Sequence, residues 1–101
     1  MYVKIHKSGS HSGNREVVAV CDENLLGKIL HGDHVDFKVS ESFYKGERKA
    51  EEEVTAILKK TTNINLVGKE AVAAGIKAGI ISQESVIIIE GVPHAQAFAI
   101  L

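Results

Sequence analysis

His94 follows Gly91-Val92-Pro93. An imidazole presented by a rigid turn between two strands is suited to proton transfer near neutrality. The plainer alternative is a turn histidine that satisfies neighbouring carbonyls, since no nucleophile or base lies within sequence reach. Cys21-Asp22 closes an apolar run. A thiol at a strand end, beside a helix N-terminus, can have a lowered pKa and be reactive. The charge of Asp22 opposes that, and packing is the more frequent role of an isolated cysteine. Asp22 itself reads as the cap of a single helical turn through Leu25 and Leu26, its carboxylate accepting from free backbone N–H groups.

Other groups are weaker signals. His31 and His34 flank Asp33, and His6 with His11 lies in the first hairpin. Paired histidines can chelate a metal, but there is no Cys-x-x-Cys and no His-Glu-x-x-His, so no metal site and no cofactor are expected. Gly68-Lys69 at a helix start can hold an anion through free N–H groups, although the multi-glycine cradle of a phosphate loop is missing. Lys4, Lys7 and Arg15, with Tyr2 on the Lys4 face, give the first hairpin a positive bias and are candidate RNA contacts. Phe43-Tyr44 can stack on a base or anchor a loop, and at least one of the pair is expected to anchor.

The whole chain bounds these readings. Its 101 residues form one domain over 1–101, able to bury roughly two-thirds of its unfolded surface. A net charge of −1 argues against a generic nucleic-acid coat without excluding a local basic patch. A single cysteine rules out an internal disulfide and fits a cytoplasmic setting. No secretory signal and no bilayer-spanning run is visible, so no membrane partner is expected.

The positioning elements follow from periodicity. Tyr2–Lys7 alternates, Ser8–Asn14 reads as a loop, and Arg15–Cys21 reads as an interior strand, together a hairpin. Lys28–Leu30 and His34–Val39 make a second hairpin, with Val35, Phe37 and Val39 inward. Ala50–Lys60 is a helix with Val54, Ile57 and Leu58 as its stripe, Glu51–Glu53 at its start and Lys59–Lys60 at its end. Asn65–Gly79 reads as a short lead-in turn and a central helix, capped by Asn65 or Gly68 and ended by Gly79. Val86–Glu90 reads as a buried strand, Gly91–His94 as a turn and Ala95–Leu101 as a final strand. That last strand is apolar on both faces apart from Gln96, so an uncovered edge there invites homo-oligomerisation. The order predicts an α+β fold, a mixed or antiparallel sheet of about five to six strands packed with two helices.

Four blocks carry a family resemblance: Cys21–Lys28, Val39–Glu47, Asn65–Val72 and Gly91–Gln96. In order and over nearly the whole chain, they resemble a small archaeal family catalogued as a domain of unknown function. The resemblance implies short cytosolic proteins linked to translation, because the family's genes are associated with that of archaeal initiation factor two. Established catalytic residues do not come with it. The matching polar positions, Cys21, Asp22, Lys28, Tyr44, Asn65 and His94, are therefore site candidates. The first expectation is an accessory binding module touching RNA or a protein factor such as an initiation factor. The alternative is a small-ligand binder or enzyme with Cys21, Asp22 and His94 around one pocket.

Overall fold

The computed structural model describes residues 1–10 and 13–98. β1 (Tyr2–Ser10) and β2 (Gly13–Cys21) pair antiparallel from Tyr2↔Cys21 to Ser10↔Gly13. Most of the expected Ser8–Asn14 loop is thus strand. Ladder hydrogen bonds belong to the backbone, so a continuing partner strand overrides a Ser- and Gly-rich composition. A 3-10 turn over Glu23–Leu25 leads to β3 (Ile29–His31) and β4 (Asp36–Lys38), which form a separate two-stranded sheet. Then come α1 (Glu41–Tyr44), β5 (Glu47–Arg48), α2 (Glu51–Lys59), β6 (Ile64–Val67) and α3 (Lys69–Lys77). A second 3-10 turn, Gln83–Ser85, precedes β7 (Ile87–Ile89) and β8 (Val92–Ala97).

The main sheet has six strands in the order β5-β1-β2-β6-β8-β7. β2 and β6 are parallel and the other neighbours antiparallel, so the fold is α+β with a mixed sheet. Register assigns the faces. Val3, Val18, Val20, Ile64, Leu66 and Ala95 lie on one face, packed with α2 and α3 around Val54, Leu58, Ala71 and Ala74. Ala19, Cys21 and Val67 lie on the other, covered by the 23–44 segment through Leu25, Leu30, Val39 and Tyr44.

Several expectations are corrected by pairing. Asn65–Val67 is not a lead-in turn: it belongs to β6, a central strand flanked by β2 and β8. The helix starts after Gly68, which is its N-cap residue. His94 is not in a turn either. The turn is Glu90-Gly91, at φ 49° and 77°, the left-handed pair that a two-residue hairpin needs, and β8 begins at Val92. β7 is an edge strand with Ile87 55% and Ile88 65% exposed, not a buried one. A continuous apolar run looks the same in either place. β8 pairs β7 over Val92–His94 and β6 over His94–Ala97, so Ala95–Ala97, the described part of the expected final strand, has a strand partner on the β6 side only. Residues 99–101 lie outside the described residues. Val35, expected inward, is 78% exposed just ahead of β4.

α3 buries Ala71, Val72, Ala74 and Gly75. Gly79, at φ +78°, ends it: Gly79 N–H bonds Ile76 O at 3.0 Å and Ile80 N–H bonds Gly75 O at 3.2 Å. Gly75 is there for proximity. A Cβ on it would strike Leu66 Cδ1 and come 2.9 Å from Ile81 Cδ1. Gly75→Ala gains about 1 kcal/mol of helix propensity against about 1–3 kcal/mol of overpacking. We expect a net loss of stability in urea unfolding; an unchanged or raised midpoint would refute the close-approach account.

Candidate functional site

Asp22 does the opposite of what local sequence suggests. The 3-10 turn follows it, but its side chain makes no bond to that turn. Instead Oδ2 accepts from Glu70 N–H at 3.1 Å and Oδ1 from Ala71 N–H at 2.9 Å, capping α3 from 48 and 49 residues away. Gly68 makes room for it. Its φ is +113°, and a Cβ there would sit 2.5 and 2.6 Å from the Asp22 carboxylate oxygens. The anion site expected at Gly68-Lys69 is therefore filled by a residue of the chain itself. A carboxylate is what a helix N-terminus favours.

Cys21 is fully buried. Burial first, then the Asp22 charge, pushes its thiol up to about 11, away from the thiolate a reactive cysteine needs. Tyr44 is also buried, and its hydroxyl donates to Asn65 Oδ1. Burial raises the Tyr44 phenol, with Cys21 as the second cause. Phe43 meets Tyr44 edge-on at 4.9 Å. Tyr44 is thus the expected anchor, on a helical turn capped by Ser40 Oγ, which accepts from Phe43 N–H at 3.3 Å.

His94 is 4% exposed. Its Nδ1–H donates to Leu66 O at 2.8 Å, which leaves Nε2 as an acceptor for the Gln96 amide at 3.2 Å. Phe37 covers the ring at 4.7 Å. Burial lowers its pKa, so the imidazole is neutral near pH 7. A shallow cleft of about 220 Å³ lies beside it, lined by Ser85, Ile87 and Gln96.

The six candidates do not converge. Register separates Cys21 from His94 by Val67, two strand spacings or about 10 Å. Cys21, Tyr44, Asn65 and His94 share one sheet face, yet the Tyr44–Asn65 pair and the His94–Gln96 pair have different partners. Asp22 is committed to α3, and the Lys28 side chain is exposed. Among the described residues no nucleophile and base are joined by a hydrogen bond.

The basic candidates divide as well. Lys4 Nζ donates to Ser42 O at 2.7 Å, and His6 bonds Phe43 O at 2.8 Å while stacking on the Phe43 ring at 4.6 Å. Both clamp α1 against β1. Lys7 shares the helix-covered face with Val3 and Ile5, whereas Lys4 and Arg15 lie on the opposite face. His31 bonds Asp36 at 3.1 Å, and His11 lies outside the described residues. Sequence reasoning missed the exposed isoleucines, Ile5 at 44% with Ile87 and Ile88. An alternating or apolar pattern shows which face a residue takes, not whether a neighbour covers it.

Asp22→Ala strips the cap from α3 and should cost about 1–3 kcal/mol in urea unfolding, Asp22→Asn less. A loss below about 0.5 kcal/mol would contradict the capping role. For His94 the folded pKa lies below the ordinary 6.5. The unfolded chain then takes up a proton that the folded imidazole resists, so this stabilisation is complete above 6.5 and declines as pH falls below it. Wild-type stability from about pH 8 to about pH 5 should fall more than that of His94→Gln; parallel curves would contradict it.

Comparison with known proteins places this geometry in a family. The sequence model of a family described as "Protein of unknown function (DUF424)" matches residues 10–100. Among solved structures, an uncharacterized conserved protein from Methanopyrus kandleri is similar at a TM-score of 0.81 and 27% identity, over 94% of this chain and 87% of that one. No curated protein matches. No helix among the described residues is long and apolar enough to cross a membrane.

Proposed function

We infer that this chain, which belongs to the DUF424 family of proteins of unknown function, is an accessory binding module that engages a protein at an edge of its sheet. The translation machinery is the setting in which we would look first, as the family resemblance implies. The carrying observation is where large apolar side chains remain in water. Of the six exposed large apolar side chains among the described residues, three lie at edges of the main sheet, Ile5 on β1 at 44% and Ile87 and Ile88 on β7 at 55% and 65%, while Ile29, Val35 and Phe98 lie outside its strands. Edge strands with exposed apolar side chains are pairing surfaces.

Two further observations favour this reading. The polar candidates are consumed by the fold: Asp22 by α3, Tyr44 by Asn65 and His94 by Leu66 O. A small-ligand binder or enzyme at Cys21, Asp22 and His94 has correspondingly less support. Protein is favoured over RNA because Lys7 and Arg15 lie on opposite faces, Lys4 is held by Ser42 O and the net charge is −1.

The test is co-sedimentation of tagged protein with ribosomal subunits and initiation factors, at low and moderate salt. Association that survives moderate salt and is lost in the Ile5→Lys/Ile88→Lys double variant is the expected result. Steeply salt-sensitive association abolished by Arg15→Glu would overturn the protein reading in favour of RNA. Absence from every subunit and factor fraction would remove the translation setting.

A further inference from the structure

The outer edge of β1 is much longer than the strand that covers it. β5 pairs only Tyr2 and Val3, through Tyr2↔Arg48 and Val3↔Glu47. Lys49 N–H bonds Met1 O at 2.9 Å and Met1 N bonds Lys49 O at 3.3 Å. This reciprocal pair fixes the parity of the edge: odd residues of β1 turn their N–H and C=O groups toward the β5 side. The next odd positions are Ile5 and Lys7. Among the described residues no group meets their outward N–H and C=O. β5 cannot extend to them, because its chain leaves the line at Gly46, packed so tightly on β1 that a Cβ would strike Val3 O and lie 2.9 Å from Lys4 Cα.

The side chains beside this open backbone are specific. A cleft of about 510 Å³ lies beside β5, lined by Val3, Lys4, Ile5, Gly46, Glu47, Lys49 and Ile57. Ile5 is 44% exposed at its floor, with Ile57 of α2 beside it. Lys49 is already paired with Glu47 at 3.1 Å and Glu53 at 3.8 Å. Lys7 faces Glu16 in the register but forms no ion pair among the described residues. The edge therefore offers two residues' worth of backbone, an apolar seat at Ile5 and, at Lys7, an exposed cation whose facing acid, Glu16, is on the β2 side, with Ile5 and Lys7 on one face.

A second copy does not fit this edge. Antiparallel self-pairing about a two-fold at His6 sets Lys7 against Ile5, and about Lys7 it sets lysine against lysine. A two-fold at Ile5 requires the stretch that β5 already covers. Each arrangement is unfavourable for cross-strand pairs.

We propose that the Ile5–Lys7 edge of β1 takes an extended peptide of a partner protein, paired antiparallel in line with β5. Residues directly opposite share a face. The peptide residue opposite Ile5 is then aliphatic, and the one opposite Lys7 is Asp or Glu. Antiparallel direction puts the acid first, giving an acidic-x-aliphatic motif. The assignment rests on the protein-partner reading above and names its site and ligand class.

The test is selection of a random linear peptide display library on the full chain and on Lys7→Glu, an exposed substitution. The wild type should enrich acidic-x-aliphatic, and the variant should shift to basic-x-aliphatic. A synthetic wild-type-selected peptide should bind Lys7→Glu about tenfold more weakly and lose binding when the backbone nitrogens facing β1 are methylated. Identical motifs from both chains, no enrichment, or indifference to N-methylation would overturn the proposal, as would dimerisation in light scattering abolished by Lys7→Glu. If selection fails while Ile88→Lys alone still abolishes co-sedimentation, this edge is wrong and the module reading stands. If both fail, both fall.

Discussion

The carboxylate of Asp22 on the first turn of α3 holds three parts of the molecule in one relation. Asp22 directly follows β2, α3 is separated from β6 by Gly68 alone, and β2 and β6 are the parallel pair at the centre of the sheet. Asp22 N–H also bonds Val67 O at 3.1 Å, extending that pairing by one step. The cap thus joins the end of one central strand to the helix that follows the other. It works because the acid is 6% exposed, where charge-assisted bonds to N–H groups are screened little. Gly68 is the enabling partner, since only a residue without Cβ leaves space for the carboxylate at a positive φ.

From this junction the two layers follow. On one face α2 and α3 cover the aliphatic rows of β1, β2, β6 and β8, and Gly75 lets α3 settle against Leu66. On the other the irregular 23–44 segment does the covering. Its own backbone bonds close the β3–β4 pair and its turns, and side chains of the main sheet tie α1 down. Lys4 and His6 accept that role for α1, and Asn65 takes the Tyr44 hydroxyl. Buried polar groups must find hydrogen bonds, and this requirement explains the residues that look most like an active site.

The same requirement is met less completely at the rim of the sheet, where strand edges carry unpaired backbone groups. An open sheet must end somewhere, and its outermost strands here span two and three residues. β5 is too short to shield the nine-residue β1. Among the described residues, the outward backbone groups of Ile5 and Lys7 without a partner coincide there with the exposed Ile5 side chain.

How much could be read beforehand depends on range. Periodicity located the first hairpin, α2 and the end of α3 at Gly79, because face alternation, dipole charge and left-handed glycine are local properties. It misread Asn65–Val67, because a strand buried on both faces has no alternation to separate it from the start of an apolar helix. Composition mistook Ser8–Ser10 for loop, since ladder bonds ignore side chains. For the site, the sequence by itself determined which residues are polar amid apolar runs: Cys21, Asp22, Tyr44, Asn65 and His94. Their uses were decided only by tertiary structure. Asp22 meets α3 across 48 residues, Tyr44 meets Asn65 across 21 and His94 meets Leu66 across 28. A hydrogen bond of that range depends on strand order, and so does the exposure of an edge, which exists only once the neighbours of each strand are fixed.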